Sequence, residues 1–486
     1  MKVPVESSSW RASAIPRSRR LAANGLGAGR QGGGNGLGRN GLTRRRRSAA
    51  LALALLAIAL APGCDGGDDA AEAVGLCRGS KPDLWTQRLA GAGERTVGGV
   101  AVAAGADGGV LAHAAFREGS SAGARVQLLS VDAVGALVRQ RDLGATDGVP
   151  AVVAVADGLR VGHGGFELVA VDAAGELKWQ RALAGGLGQG TPQLAALAVA
   201  DAKDVGAGLA LVGSVELSGP GQKGRAAAWV LTDALGLSTA SVRQSLDARA
   251  SLLSVASDAK AASGPGWLAV GWVEASISAN GRQGVVLGLD AKGVVRLQER
   301  HGGVLDEELR ALVLTPQGWL AAGSTRSSGA GGADGWLLGL DAAGKQRFAA
   351  TFGGGGEDEL SAIAVLGGDV ALAGRTLSDE LAPGGAWLLG VRQVGAQAAL
   401  VWQTSFEGAG VADLRGLAVD GDAVLGVGST AHTSVTGETA ALWVRVGAGG
   451  QSRCGGEHCE QADSQECGNG FSCVVASSQS RCKASP

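Results

Sequence analysis

A short turn element recurs along the chain and constrains the fold more than any other feature. Five copies read Asp-Ala-x-Gly after an apolar run, and their aspartates are Asp132, Asp172, Asp233, Asp290 and Asp341. Two weaker copies have Arg392 and Gly447 at the aspartate position, and successive copies are 40 to 61 residues apart. A period of this length is typical of repeat architectures, in which each unit buries its apolar faces against its neighbours.

Each copy divides into four short predicted strands, which we name a, b, c and d. Strand a is an apolar run such as 360–365, and strand b is of the Gly-Trp-Leu-Ala-Ala-Gly type at 318–323. Strand c, such as 335–340, leads into the Asp-Ala-x-Gly turn, and strand d, such as 177–181, follows it. Four-stranded units of this size form the blades of β-propellers. The sequence therefore predicts an all-β, seven-bladed β-propeller of four-stranded blades over residues 83–450.

The two ends of the repeat region predict how the ring closes. The last copy stops after its strand c at 442–446, whereas residues 83–89 match strand d and precede the first strand a. We therefore expect this N-terminal strand to complete the last blade. Closure of this kind hides the edges that an open array of sheets would expose.

The N-terminal region has the pattern of an export signal. Four arginines at 44–47 precede an apolar stretch at 49–61 and then Cys64, so residues 1–63 are predicted to be a signal peptide with a long basic n-region. The sequence at 60–64 resembles a bacterial lipobox, which implies acylation of Cys64 and a lipid anchor in the membrane. Ordinary signal cleavage with a free or paired Cys64 is the alternative. Residues 64–82 read as an acidic flexible tether.

The remaining six cysteines fit a disulfide framework in an exported chain. They are Cys77, Cys454, Cys459, Cys467, Cys473 and Cys482. We expect Cys77 to pair with the C-terminal cluster, most simply with Cys454, and the other four to staple a small tail over residues 451–486. A zinc site built from Cys454, His458 and Cys459 is the rival, although it lacks the usual spacing of cysteine ligands.

The charge balance and the scattered polar residues restrict the function. Residues 64–486 hold 32 basic and 44 acidic residues, which argues against a nucleic-acid partner. The five histidines (His113, His163, His301, His432 and His458) are expected at surface or strand-end positions, without catalytic roles. Gly-x-Ser-x-Gly at 119–123 lacks the strand and helix of a nucleophile elbow. We predict a non-catalytic monomer without a cofactor.

The predicted partner-binding face carries the d–a and b–c connections. Its b–c connections are long and variable, except in the second copy, and long loops on a rigid scaffold often carry binding sites. Its d–a connections contain clustered acids, namely Asp306, Glu307, Glu308, Glu357, Asp358 and Glu359. We expect these to be solvated loop acids, with calcium or a cationic partner as the alternative. Tryptophans are expected in the core, with a carbohydrate platform at Trp267 or Trp272 as the alternative.

Residues 334–344 and 351–359 resemble the repeats of bacterial secreted and surface β-propeller lipoproteins. Residues 168–179 also resemble the repeat of quinoprotein-type propellers, although the adjacent cysteines of the quinone enzymes are absent. These resemblances imply an envelope lipoprotein, at the outer membrane or cell surface, that binds a protein or glycan partner. An outer-membrane protein assembly factor of the quinoprotein-propeller type is the first alternative, and a glycan-acting enzyme is the second.

Overall fold

The structure is a computed structural model, and it describes most of the chain from residue 94 to residue 449 together with four short strands outside that range. The described residues are 73–74, 85–89, 94–104, 110–120, 123–204, 207–218, 224–246, 249–258, 266–274, 281–378, 385–394, 396–406, 412–431, 439–449, 471–476 and 479–484. The signal, Cys64 and most of the tether lie outside these residues.

The described elements are antiparallel strands and one short 3₁₀ turn. The N-terminal strands are β1 (Ala73–Val74) and β2 (Trp85–Leu89). Unit 1 contains β3 (Glu94–Ala104), β4 (Val110–Ser120), β5 (Gly123–Val131) and β6 (Leu137–Ala145). Unit 2 contains β7 (Ala151–Val155), β8 (Gly158–His163), β9 (Glu167–Val171) and β10 (Leu177–Ala182), and the 3₁₀ turn Ala184–Leu187 follows. Unit 3 contains β11 (Thr191–Val199), β12 (Leu209–Leu217), β13 (Gly224–Thr232) and β14 (Ser238–Gln244).

The second half of the chain repeats this arrangement. Unit 4 contains β15 (Arg249–Ser257), β16 (Trp267–Glu274), β17 (Arg282–Leu289) and β18 (Val295–His301). Unit 5 contains β19 (Glu307–Thr315), β20 (Gly318–Thr325), β21 (Asp334–Leu340) and β22 (Gln346–Phe352). Unit 6 contains β23 (Asp358–Leu366), β24 (Asp369–Thr376), β25 (Gly385–Val394) and β26 (Gln397–Phe406). Unit 7 contains β27 (Asp413–Asp420), β28 (Ala423–Ala431) and β29 (Thr439–Gly447), followed by the tail strands β30 (Phe471–Ala476) and β31 (Gln479–Ala484).

Within each unit the strands pair in chain order, and the units contact one another through their first strands. β3, β7, β11, β15, β19, β23 and β27 contact each other in that order, and β27 contacts β3. A single parallel bridge between Arg225 and Arg249 also joins units 3 and 4. The prediction of an all-β chain built from four-stranded propeller sheets is confirmed by this arrangement.

The N-terminal strand completes unit 7, as the ends of the repeat region predict. β2 pairs antiparallel with β29, so that Leu89 lies opposite Ala441, and β28 and β27 continue the sheet. The buried guanidinium of Arg95 ties this seam to unit 1. Its Nη1 donates to the Leu89 carbonyl at 3.1 Å, while its Nε and Nη2 each donate to Glu118 Oε1 at 3.2 Å. The first and last parts of the ring are therefore joined by a backbone ladder and by a buried cation.

The recurrent turn has the geometry that its residues require. In unit 5, Asp341 Oδ1 accepts hydrogen bonds from Ala343 N and Lys345 N, both at 2.9 Å, and Gly344 has a φ of +69°. A left-handed residue favours glycine, and an aspartate that bonds its own turn closes it locally. The same two bonds recur at Asp132, Asp233 and Asp290, and Asp172 Oδ1 accepts the second of them, from Glu176 N. The repeated turn sequence therefore has a local structural cause.

Apolar side chains fill the spaces between neighbouring units. Strand c is buried on both faces, as in Trp336 and Leu337, because each sheet packs between two others. Trp229, Trp387 and Trp443 are among the largest fully buried side chains. Trp267 and Trp272 are also buried, at 7% and 4% exposure, so the alternative of a carbohydrate platform at these residues is wrong.

Two described strands belong to the tail. β30 and β31 form a hairpin in which Cys473 and Cys482 are register partners, and Cys482 also lies opposite Phe406 of β26. Cys77, Cys454, Cys459, Cys467 and His458 lie outside the described residues, so the predicted pairing of Cys77 stays a prediction. Among the residues that the structure describes, no helix is long and apolar enough to cross a bilayer.

Candidate functional site

The first strands of six units share a β-bulge near the face that carries the d–a and b–c connections. In unit 5 the register shifts between Leu309 and Ala311, so Arg310 is the extra residue. The corresponding shifts in the other units single out equivalent positions. The six extra residues are Gly98, Ala195, Leu253, Arg310, Ser361 and Arg415. A bulge re-aims side chains relative to the regular alternation of a strand.

A glycine on strand b makes room for the bulge. A Cβ on Gly323 would overlap the carbonyl oxygen of Glu308 and would lie 2.8 Å from its carbonyl carbon. Four other units place the equivalent carbonyl oxygen against a strand b glycine, at Gly213, Gly271, Gly374 and Gly428. The last glycine of the Gly-Trp-Leu-Ala-Ala-Gly element is therefore a requirement of the bulge, which is a close approach of two backbones.

The six extra residues line one cavity of about 580 Å³ at the centre of the ring. Gln193 of unit 3 and Arg117 of unit 1 also line it, together with the connection from unit 1 to unit 2 at 147–149. A cavity of this volume fits a small molecule or a few side chains of a partner. The bulges thus convert a repeated backbone feature into the wall of a single site.

Ion pairs within and between units hold part of this wall. The Arg310 guanidinium contacts the Glu308 carboxylate and lies 3.5 Å from Glu359 Oε2, which belongs to the next unit. Glu359 also accepts from Arg375 at 3.0 Å, and Arg415 Nε lies 2.6 Å from Asp413 Oδ2. These pairs fix the directions of Arg310 and Arg415, while 35% and 46% of their side chains remain exposed.

Unit 2 departs from the pattern. Its first strand β7 pairs with β8 without a register shift, and Asp147, Gly148 and Val149 form the cavity wall in place of a bulge. His163 ends β8 and is 2% exposed, and neither ring nitrogen has a hydrogen-bond partner among the described residues. Burial lowers the pKa of His163, and the nearby Asp147 carboxylate opposes that shift.

The six acids predicted to be solvated lie at this face, but most of them are structural. Glu307 and Asp358 are buried at 1% and 0% exposure. Asp358 accepts hydrogen bonds from Gly354 N, Thr376 Oγ1 and Ser378 Oγ at 2.8, 2.5 and 2.7 Å. Glu307 likewise accepts from Gly303 N and Thr325 Oγ1. The expectation of solvated loop acids is therefore wrong for these two, because each accepts hydrogen bonds from donors of the d–a connection and of the end of strand b that would otherwise be unpaired.

The other four acids tie neighbouring segments together. Asp306 Oδ1 accepts from Arg282 N at 2.8 Å, and Arg326 donates to both carboxylate oxygens of Glu357 at 2.9 and 2.5 Å. The bond from Arg326 holds the pKa of Glu357 below its usual range. Glu308 and Glu359 take part in the arginine pairs of the cavity wall. No group of three candidate ligands that could hold a metal ion is found among the described residues, and the calcium alternative stays a prediction.

One further carboxyl is perturbed next to this cluster. Asp334, at the start of β21, is 2% exposed, and its Oδ2 accepts from Ala330 N at 3.1 Å. Burial raises the pKa of Asp334, and the nearby carboxylates of Asp358 and Glu357 raise it further. Because its hydrogen bond comes from the b–c connection of its own unit, the carboxyl organises that connection.

The remaining histidines occupy structural positions. His113 lies in the middle of β4 at 3% exposure, with Nδ1 2.8 Å from Ser130 Oγ, so the expectation of a surface or strand-end residue is wrong for it. His301 ends β18, as expected, but it is buried and its Nε2 lies 3.1 Å from the Gly344 carbonyl. His432 lies outside the described residues. In the Gly-x-Ser-x-Gly match, Gly119 and Ser120 end β4 and Gly123 begins β5, and Ser120 is the register partner of Gly123.

Comparisons with solved structures found β-propeller proteins. BamB from Moraxella catarrhalis is 12% identical, with 76% of this chain and 98% of that chain covered at a TM-score of 0.37. The Dos1 propeller is 11% identical over 69% and 74%, at 0.37. BBS1N in complex with ARL6DN is 9% identical over 76% and 97%, at 0.43. No protein-family model matches the chain, and no curated protein matches it in sequence.

The sequence predicts a partner-binding face, which stays a prediction, and it does not single out the cavity. The cavity arginines Arg310 and Arg415 on the bulges and Arg117 on β4 are not among the residues that the sequence predicts. The sequence does contain a pattern that marks the bulged position. Strand a reads acid-Leu-x-Ala at 308–311 and again at 359–362, and a strand b with a glycine at the equivalent position follows in each unit. The position x in this pattern is the one that lines the cavity.

Proposed function

We propose that the chain is a non-catalytic binding or scaffold protein of the bacterial cell envelope. In this proposal it is a seven-bladed β-propeller, anchored by lipid at Cys64, that presents one face to a protein or glycan partner. The observation that carries the proposal has two parts. The first strands of the units contact one another in a closed ring, and a central cavity of about 580 Å³ lies on the face that bears the b–c connections. Rigid scaffolds with loops and a concavity on one face are where binding sites are usually found.

Shortening one b–c connection tests the choice of face. β12 and β13 pair up to Leu217 and Gly224, so residues 218–223 can be replaced by Asn-Gly without changing the register of the hairpin. The matched control shortens the a–b connection of the same unit at 201–207, on the opposite face. The tagged mature protein is used to capture partners from solubilised envelope. We expect a partner that is captured by the control but lost from the b–c variant.

Equal capture by both variants, with both folded, would refute the proposed face. The identity of the captured protein separates the alternatives. Outer-membrane β-barrels support an assembly factor, whereas a surface adhesin is digested by protease on whole cells. The lipid anchor is tested separately, because Cys64→Ala should move the protein from the membrane fraction to the soluble fraction.

A further inference from the structure

The cavity at the centre of the ring has a wall richer in positive than in negative charge. Three arginines line it, namely Arg117, Arg310 and Arg415, and Asp147 is the acid among its lining residues. They come from units 1, 5 and 7, which lie apart along the chain. The cavity also has two neutral hydrogen-bonding side chains, Gln193 and Ser361.

Arg117 differs from the other two arginines because no acid holds it. Arg310 contacts Glu308, and Arg415 contacts Asp413. Among the described residues, no hydrogen bond or ion pair is formed by the Arg117 side chain, and its Nε is buried without a partner. A partly buried cation without a partner costs free energy, which an anion in the cavity would offset.

The position of Arg117 directs it to the cavity. It lies opposite Thr96 of β3, two residues before the bulge at Gly98, on a half-buried part of β4. Beside Arg117, the cavity wall is formed by the connection from unit 1 to unit 2 at 147–149. Unit 2 contributes this connection because its first strand has no bulged residue. Gly98 has no side chain that could shield the Arg117 guanidinium. A larger residue does not fit at this position, because Pro150 O occupies the space that a Cβ would need.

We propose that this cavity binds an oxyanion, a carboxylate or a phosphate group, with Arg117 as its main ligand and Arg310 and Arg415 as supporting cations. A guanidinium presents donors in a fork that matches both groups. The inference rests on the proposed function and deepens it, because it names the chemical group by which a partner would occupy the centre of the binding face. Acidic side chains, a C-terminal carboxylate and phosphoryl groups of glycans share this chemistry.

Titration calorimetry on the full mature chain tests the site. Inorganic phosphate and succinate are titrated separately, with ionic strength kept constant by sodium chloride. We expect saturable binding of at least one of them at one site. Arg117→Gln should weaken it about tenfold or more, the effect of losing one charge-assisted hydrogen bond. Arg415→Gln should also weaken it, whereas Arg296→Gln, in an exposed pair with Asp290 on the opposite face, should not.

The two probes distinguish the sources of the anion. Binding of phosphate alone supports a phosphoryl group, and binding of succinate alone supports a carboxylate. Absence of saturable heat with both probes overturns the inference, and so does unchanged affinity in folded Arg117→Gln. Because no partner protein is needed, failure here is distinct from failure of the proposed function, which the shortened b–c connection tests without any anion.

Discussion

The strand b glycines should be irreplaceable because the bulges press backbone against them. In Gly323→Ala the new Cβ would overlap the Glu308 carbonyl oxygen and would lie 2.8 Å from Glu308 C and 2.9 Å from Leu309 Cα. Ordinary contacts between carbon atoms are about 3.5–4.0 Å, so β19 must move by roughly 1 Å. All three obstructing atoms belong to the backbone, and no side-chain rotation relieves them. We expect a loss of about 3 kcal/mol, the upper part of the range for overpacking.

Gly368→Ala is the matched control. Gly368 lies in the turn between β23 and β24, and a Cβ there meets no atom within 4 Å. Its free energy of unfolding should stay within about 0.5 kcal/mol, with a small gain from the stiffer unfolded chain. The assay is urea unfolding followed by tryptophan fluorescence. Equal urea midpoints for the two variants would refute the view that the bulges hold the cavity wall in shape.

Three further expectations follow from the seam, the turns and the buried histidine. Arg95→Ala should lower the free energy of unfolding by about 2–3 kcal/mol, because it removes a buried donor to the Leu89 carbonyl. Amide hydrogen exchange should become faster at Leu89 than elsewhere, and an equal increase at all amides would contradict this. Asp341→Ala should cost about 1 kcal/mol in a urea midpoint, since it opens one turn; a midpoint equal to the parent's would contradict it. Burial lowers the pKa of His113 to about 4 from 6.5, so its stabilising effect is complete above pH 6.5 and is lost as the pH falls towards 4. The parent should lose up to about 3 kcal/mol more over this interval than His113→Gln, and parallel pH profiles would refute that assignment.

The sequence was informative wherever the structure is locally determined. The turns were predictable because the aspartate and glycine of each copy make the bonds and backbone angles of that same turn. The closing strand was predictable because residues 83–89 have the pattern of strand d but precede the first strand a. As this pattern predicts, β2 pairs with β29 of the last unit. Both inferences needed only neighbouring residues or a count of strands.

The burial of the acids was not predictable by the same reasoning. Asp358 and Glu307 follow glycine-rich segments and read as exposed, yet each accepts hydrogen bonds from donors on a strand about 18 residues further along. Charged residues in a polar loop and charged residues that satisfy buried donors have the same local sequence. Only the packing of strand a against strand b distinguishes them.

The cavity is a consequence of repetition combined with a defect in regular pairing. A strand without a bulge alternates its side chains between two neighbouring sheets, so every residue serves the core. The extra residue of a bulge is released from that alternation, and in six units it lines the same cavity. Five of these positions differ in size and charge, from alanine at 195 to arginine at 310 and 415. Position 98 is restricted to glycine, because Pro150 O occupies the space that a Cβ would need. The chemistry at the centre of the ring is therefore set by the few bulged side chains that line the cavity instead of packing between the sheets.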